Sequence, residues 1–231
     1  MHKYQVFIVG NGKLARELFE NLSGENIYRV DQWNKCSSLS LERSVVVHAG
    51  SGRELADVID YCTKTRSILF ELSTTGSPIP GSVGFPVVIC PNVNILMLQF
   101  MAMIKQAAPL FYGYKIEIAE SHQSSKKSKP GTAIYLAKTL GISESHIRSE
   151  RDPNIQKVNI GIPQQHLDRH AYHKIVISNQ DTELKFETKV FGKTSYAISL
   201  SFIIDKVLRM KLIAGHHDIV ELLLAEHNGN K

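Results

Sequence analysis

A short apolar run near the N-terminus, made by Tyr4, Val6, Phe7, Ile8 and Val9, leads directly into Gly10, Asn11, Gly12, Lys13, Leu14 and Ala15. A run of this length is expected of a strand buried on both faces, and Leu18, Phe19 and Leu22 then recur at helical spacing. A strand, a G-x-G-x-x-A turn and a helix, in that order, form the phosphate-binding corner of a dinucleotide fold. Gly10 permits the tight turn, Gly12 lets the backbone approach a pyrophosphate, and Ala15 allows the helix to pack close to the strand. Asn11, Lys13 and Leu14 complete the same cradle. The competing reading is an ordinary strand-to-helix turn whose glycines serve backbone geometry alone.

The pattern beyond it is that of an open α/β sheet. A second strand is expected near Tyr28 to Val30, ending at Asp31. An acidic residue about 20 positions after the glycines is where a ribose hydroxyl is bound, so Asp31 favours NADH, while Arg29 and Lys35 leave NADPH open. Val45 to Val47 make a third buried strand, Leu55, Val58, Ile59 and Cys62 a helix, and Ser67 to Leu72 a fourth strand ending at Ser73, Thr74, Thr75 and Gly76. The two Thr hydroxyls and the Gly suit contact with a carboxamide. Val87 to Ile89 form a fifth strand that closes at Pro91 and Asn92, and Ile95 to Ala108 is a strong helical run leading into a second domain. The expected division is a dinucleotide-binding domain over 1–93, with 204–231 returning to it, and a substrate-binding and oligomerisation domain over 94–203.

With 231 residues, 43% hydrophobic and 21% charged, the chain is long and apolar enough to bury a substantial core. The net charge of +5 is scattered and not gathered into a basic stripe with interleaved aromatics, which points to a small anionic substrate or a phosphate-bearing cofactor and away from nucleic acid. Cys36, Cys62 and Cys90 are odd in number and form no CxxC, so reduced buried thiols are expected. Met1 opens on a strand-like run, and no stretch approaches the roughly 20 apolar residues of a membrane span, so the cytoplasm is the expected compartment.

The chemistry concentrates between Glu117 and Ala133. Alternating apolar and polar positions suit a strand end, a polar loop follows with His122 and three Lys, and Pro130 and Gly131 turn the chain into a helical pattern at Ile134, Leu136, Ala137 and Leu140. The first amides of such a helix attract anions, so Gly131 and Thr132 mark a carboxylate site. His122 and Lys126 stand four apart and can face one pocket. A partly desolvated Lys126 becomes a usable general acid. The plainer alternative is a solvated basic surface loop.

This segment resembles the signature of the 4-hydroxy-tetrahydrodipicolinate reductase (dihydrodipicolinate reductase) family through Glu117, Glu120, His122, Lys126, Pro130, Gly131, Thr132 and Ala133. It departs from that signature at Gln123, where the family has a second His, at Ser128, where it has Asp, and in lacking the Ser before Gly-Thr. The resemblance extends to Ser73–Thr74–Thr75–Gly76, similar to a Gly-Thr-Thr-Gly loop near the nicotinamide, and to Asn92. It implies hydride transfer from NADH or NADPH to a small dicarboxylate, proton donation by Lys126, orientation of the ring nitrogen and a carboxylate by His122, carboxylate binding by Gly131 and Thr132 with Gln123 beside them, and a homotetramer. Each missing anchor costs about 1 to 3 kcal/mol of substrate binding unless a neighbour such as Ser125, Ser128 or Lys193 replaces it.

In the second half, Ser143 to Asn154 reads as polar and irregular, with strand-like alternation at Val158 to Ile162, His173 to Ser178 and Leu184 to Val190 and amphipathic helices at Ala197 to Leu208 and Asp218 to Leu224. The expected fold class is therefore α/β, a Rossmann-type domain plus an α+β domain with a mixed or antiparallel sheet. His166, His170 and His173 have spacings that could fit one helical face, and His216 and His217 are adjacent, but no Cys or paired carboxylate completes a ligand set, His173 falls in a strand-like run, and no metal is expected. Two rivals to the family reading share most of these features: a reductase of another small imine or oxo acid, and a dinucleotide sensor without catalysis. The sensor has no use for a proton donor beside a helix N-terminus.

Overall fold

In the computed structural model, which describes residues 3–33, 42–73, 79–126, 130–192 and 194–229, the chain divides into two units, Met1–Leu98 with Tyr196–Lys231 and Gln99–Ser195. The elements run β1 (Tyr4–Val9), α1 (Lys13–Asn21), β2 (Ile27–Gln32), β3 (Val45–His48), α2 (Leu55–Thr65), β4 (Ile68–Glu71), β5 (Pro86–Ile89), α3 (Ile95–Ala107), β6 (Lys115–His122), α4 (Gly131–Thr139), β7 (Ile147–Glu150), α5 (Pro153–Val158), β8 (His170–Ser178), β9 (Glu183–Phe191), α6 (Ser195–Arg209), β10 (Gly215–Asp218) and α7 (Ile219–Gly229).

The first unit holds a six-stranded sheet in the order β10-β5-β4-β3-β1-β2, every pair parallel. Such a sheet is covered on both faces, which is why Val6 to Val9 and Val45 to Val47 are apolar throughout and buried. On one face Phe7, Trp33 and Tyr61 meet edge to face, with ring centroids 5.5 to 5.9 Å apart. Because β2 lies on one side of β1 and β3 on the other, the winding reverses at β1, and the β1–α1 turn sits at the switch point where open sheets bind ligands.

The C-terminal helix α6 is tied into this unit by polar contacts as well as by its buried stripe of Ala197, Leu200, Ile204 and Val207. The buried Glu17 carboxylate on α1 accepts from the Tyr196 and Ala197 amides at 2.9 and 3.2 Å, capping the helix N-terminus. Asp205 accepts from the amides of Glu25 and Asn26, both at 3.1 Å, and Ser201 Oγ accepts from Ser23 N at 3.1 Å.

The second unit carries a mixed sheet, β7-β6-β8-β9, with β6 and β7 parallel and the other pairs antiparallel. Two local expectations change here. The stretch from Ser143 to Asn154 is not irregular: it contains β7, which pairs Ile118 with Ile147 and Glu120 with Ser149. An edge strand with one apolar side chain in four holds its place through backbone bonds, and these leave no hydrophobic alternation. Val158 to Ile162 is no strand either. Asp152 Oδ1 accepts from Asn154 N at 2.7 Å, Pro153 occupies the first turn, and the chain is helical to Val158, which is exposed, before turning. The strand expected from His173 to Ser178 forms and begins earlier, at His170, so His170 and His173 both lie on β8. A sixth strand of the first sheet, β10, was legible in no apolar pattern, since Gly-His-His-Asp pairs with β5 by backbone alone.

Candidate active site

The second unit brings together the groups of the Glu117 to Ala133 stretch. Alternation along β6 puts Glu120 and His122 on one face, and the antiparallel register sets His173 of β8 opposite Glu120. The Glu120 side chain is wholly buried and accepts from His122 Nδ1 at 2.6 Å and from Arg151 Nη2 and Nη1 at 2.6 and 3.2 Å. Burial works against its charge, yet hydrogen bonds from His122, Arg151 and Ser149 overcome it and hold the carboxyl at about 2. Glu120 is therefore an anion at neutral pH. With Nδ1–H committed to it, neutral His122 keeps an acceptor lone pair on Nε2.

Gln123 O accepts from Lys126 N at 2.9 Å, closing the turn that carries Lys126, and Lys126 O receives Arg151 Nε at 3.5 Å. Gln156 Nε2 donates to His122 O at 2.7 Å, so both ends of the turn are fixed from the α5 side. Burial lowers His122 below its ordinary 6.5, against the pull of Glu120 and helped by the charges of Lys126 and Arg151. Burial also lowers Lys126 below 10.5, with Arg151 and Arg169 adding to it and Glu120 opposing. His173, edge-on to His122 at 5.7 Å between centroids, is pushed down to about 3, chiefly by burial. The site thus holds one fixed anion beside a lysine and an imidazole whose hold on a proton burial weakens, an arrangement suited to moving a proton.

Pro130 precedes α4 without a side-chain cap, and the helical ladder starts with Ile134 N donating to Pro130 O at 3.1 Å. Gly131 and the buried Thr132 occupy the first turn, where amides lie ahead of the ladder and favour an anion. Lys127, Ser128 and Lys129 lie outside the described residues, as does Lys193.

In the first unit, Gly10 has φ +115, and a Cβ on it would stand 2.7 Å from Gly50 Cα, so no larger residue fits. Gly12 differs: its φ is −73, and a Cβ there meets nothing within 4 Å among the described residues. The fold leaves that space open beside the first turn of α1, whose ladder begins with Arg16 N donating to Gly12 O at 3.0 Å. Asn11, Lys13 and Leu14 line the same exposed or half-exposed turn. Amides ahead of that ladder favour an anion.

Asp31 lies within β2 and not at its end, and Arg29 pairs with it at 2.6 and 2.9 Å while Gln5 Nε2 donates to it at 2.7 Å. Ser73 N donates to Glu71 Oε1 at 2.6 Å. Thr74, Thr75 and Gly76 lie outside the described residues, as do Lys35 and Cys36. Asn92 Oδ1 accepts from Asn94 N at 2.7 Å, and Asn94 Oδ1 accepts from Met97 N at 3.1 Å in the first turn of α3. Sequence reasoning missed Arg151, Gln156 and His173 as members of the His122 cluster. His173 is connected to it by the register of β6 with β8, Arg151 by following directly on β7, and Gln156 by its place on α5. Among the described residues no three His, Cys, Asp or Glu side chains gather as a metal set, and no helix is long and apolar enough to cross a membrane.

Residues 95–220 match the family described as "Dihydrodipicolinate reductase, C-terminus". The probable 4-hydroxy-tetrahydrodipicolinate reductase 1, chloroplastic, of Oryza sativa subsp. japonica is 30% identical over 150 residues, 59% of this chain and 44% of the relative. The 4-hydroxy-tetrahydrodipicolinate reductase 1, chloroplastic, of Arabidopsis thaliana is likewise 30% identical over 150 residues, 59% of this chain and 43% of its own length. The matches thus span less than half the length of these relatives. Among solved structures, a dipicolinate-bound dihydrodipicolinate reductase from Paenisporosarcina sp. TG-14 shares the fold, with a TM-score of 0.60 at 16% identity over 94% of this chain and 97% of that one.

Proposed function

The chain belongs to the dihydrodipicolinate reductase family, and from that premise we propose that it reduces 4-hydroxy-tetrahydrodipicolinate to tetrahydrodipicolinate, with loss of water, for lysine and diaminopimelate synthesis. NADH or NADPH supplies the hydride. The first unit binds the dinucleotide through Gly10, Asn11, Gly12, Lys13 and Leu14, with Asp31, Ser73, Thr74, Thr75 and Asn92 completing the site. The space left open at Gly12 supports this assignment, because the fold has no need of a glycine there. Arg29 pairs with the Asp31 carboxylate, and a cation at that place favours acceptance of both nucleotides.

The second unit binds the substrate. Lys126 gives a proton to the ring carbon as the hydride arrives, and Glu120 fixes the His122 ring so that Nε2 serves the substrate ring nitrogen and a carboxylate. Gly131, Thr132 and Gln123 hold a carboxylate at the head of α4. One observation carries the reading: the wholly buried Glu120 holds His122 and Arg151 beside a Lys126 that burial has already brought below its ordinary pKa. A surface loop has no cause to bury three charged or titrating partners. Self-assembly as a homotetramer would use the second sheet, where Leu184 is 44% exposed. The buried free thiols of Cys62 and Cys90 suit a reducing compartment such as the cytoplasm.

The test is a coupled assay in which a synthase generates the substrate in the presence of this protein and absorbance of NADH and of NADPH is followed side by side. Loss of absorbance in at least one arm is expected. Steady absorbance in both, with substrate demonstrably formed, rules the reductase out.

A further inference from the structure

His48 and Glu71 end the neighbouring strands β3 and β4 at paired positions, so their side chains leave the sheet on one face. His48 is fully buried, and its Nδ1 lies 2.8 and 2.7 Å from the two oxygens of Glu71. Glu71 Oε1 also accepts from the Ser73 amide at 2.6 Å. On the opposite side of the ring, His48 Nε2 is buried with no hydrogen-bond partner among the described residues, and it abuts Gly50: a Cβ there would come within 3.1 Å of it. Gly50 Cα in turn lies 2.7 Å from where a Cβ of Gly10 would stand. Ser73, Glu71, His48, Gly50 and Gly10 therefore lie in succession, the first three joined by hydrogen bonds and the two glycines set so close to their neighbours that neither has room for a side chain.

Burying a carboxylate and an imidazole at the end of an otherwise apolar sheet is costly, and an aliphatic pair would fill the same volume more cheaply. An aliphatic pair could not accept the Ser73 amide. Nor would it offer Gly50 a flat ring edge on which the Gly10 turn can close.

We propose that Glu71 and His48 form a positioning pair for the dinucleotide, holding the Gly10 turn and the Ser73 backbone in one fixed relation before the nucleotide arrives. The pair touches no reacting atom and acts through these two backbone segments. This inference rests on the assignment of the dinucleotide to the first unit.

The test compares Glu71→Leu, Glu71→Gln and a control, Val46→Ala, in the full chain. NADH and NADPH are titrated by fluorescence, and amide hydrogen exchange is followed in peptides covering 49–52 and 72–73. Glu71→Leu is expected to raise the Kd of both nucleotides about tenfold or more and to speed exchange in both peptides. Glu71→Gln keeps an acceptor for both donors and is expected to stay within about threefold of the parent. Val46→Ala loses thermal stability through its cavity with no change in Kd. Parental affinity in Glu71→Leu, or equal weakening in Val46→Ala, overturns the proposal. If the parent chain binds neither nucleotide, the dinucleotide assignment is what fails. The exchange data then still decide the pair, since unchanged exchange in Glu71→Leu overturns it.

Discussion

Arg151 grips Glu120 with both terminal nitrogens, at 2.6 and 3.2 Å, although the two residues lie 31 positions apart. The carboxylate is fully buried and the guanidinium mostly so. Removing one partner strands the other's charge, so Arg151→Ala should lower unfolding free energy by about 3 to 5 kcal/mol, measured by urea titration. The double variant Glu120→Gln/Arg151→Met should recover most of that loss, because neither half of the pair is then left charged without its partner.

Lys126→Ala should lower turnover by about 100- to 10,000-fold with little change in nucleotide affinity, as expected when a general acid is lost. The donor must carry its proton, and burial lowers the Lys126 pKa below 10.5. Turnover in the parent chain should therefore fall on the alkaline side at a pH below 10.5, and the coupled assay run across pH checks both statements. Parental turnover in Lys126→Ala removes this residue from the mechanism.

Stability should decline as pH falls from 6.5 toward 3. His173 titrates at about 3 in the folded chain against an ordinary 6.5, and His122 is lowered as well. Across that window the unfolded chain binds protons that the folded chain refuses, so unfolding free energy rises with pH, by about 1.4 kcal/mol per unit for each fully titrating group. Glu120, held at about 2 against 4.5, adds a further loss as pH falls through that lower range. His173→Phe should flatten the profile between 3 and 6.5 when urea midpoints are measured at a series of pH values.

The two glycines of the first turn should behave differently. Gly10→Ala places a methyl 2.7 Å from Gly50 Cα at a positive φ and should cost at least about 1 kcal/mol of stability, together with nucleotide binding. Gly12→Ala meets nothing within 4 Å and should melt like the parent while raising nucleotide Kd about tenfold. Parallel melting and fluorescence titrations separate the two effects, and equal behaviour of both variants would count against the cradle at Gly12.

Glu17→Ala should destabilise the chain by about 1 to 2 kcal/mol, because it removes the acceptor that caps α6 at Tyr196 and Ala197. Glu17→Gln keeps the acceptor and loses the charge, so thermal denaturation should place it between the two.

The inner strands of the first sheet were legible because full burial demands apolar runs, and Val6 to Val9 and Val45 to Val47 satisfy that demand residue by residue. Strand β7 and strand β10 were not, because Ile147 to Glu150 and Gly215 to Asp218 are held by backbone bonds to a neighbour, which place no constraint on side-chain hydropathy. Asp152 and Pro153 did carry a local helix signal, a cap followed by a first-turn proline, and the apparent alternation downstream of it obscured α5.

From residue order alone came the parallel sheet with its glycine corner, and the loop that joins His122 and Lys126 to the head of α4, since spacing along the chain dictates which of these groups share a face or a turn. The partners came only with the folded chain. Arg151 reaches Glu120 across β6 and β7, His173 meets His122 across β6 and β8, and His48 meets Glu71 across β3 and β4. Sheet register sets each of these meetings, and register arises from long-range backbone pairing that leaves no trace in the spacing of neighbouring residues.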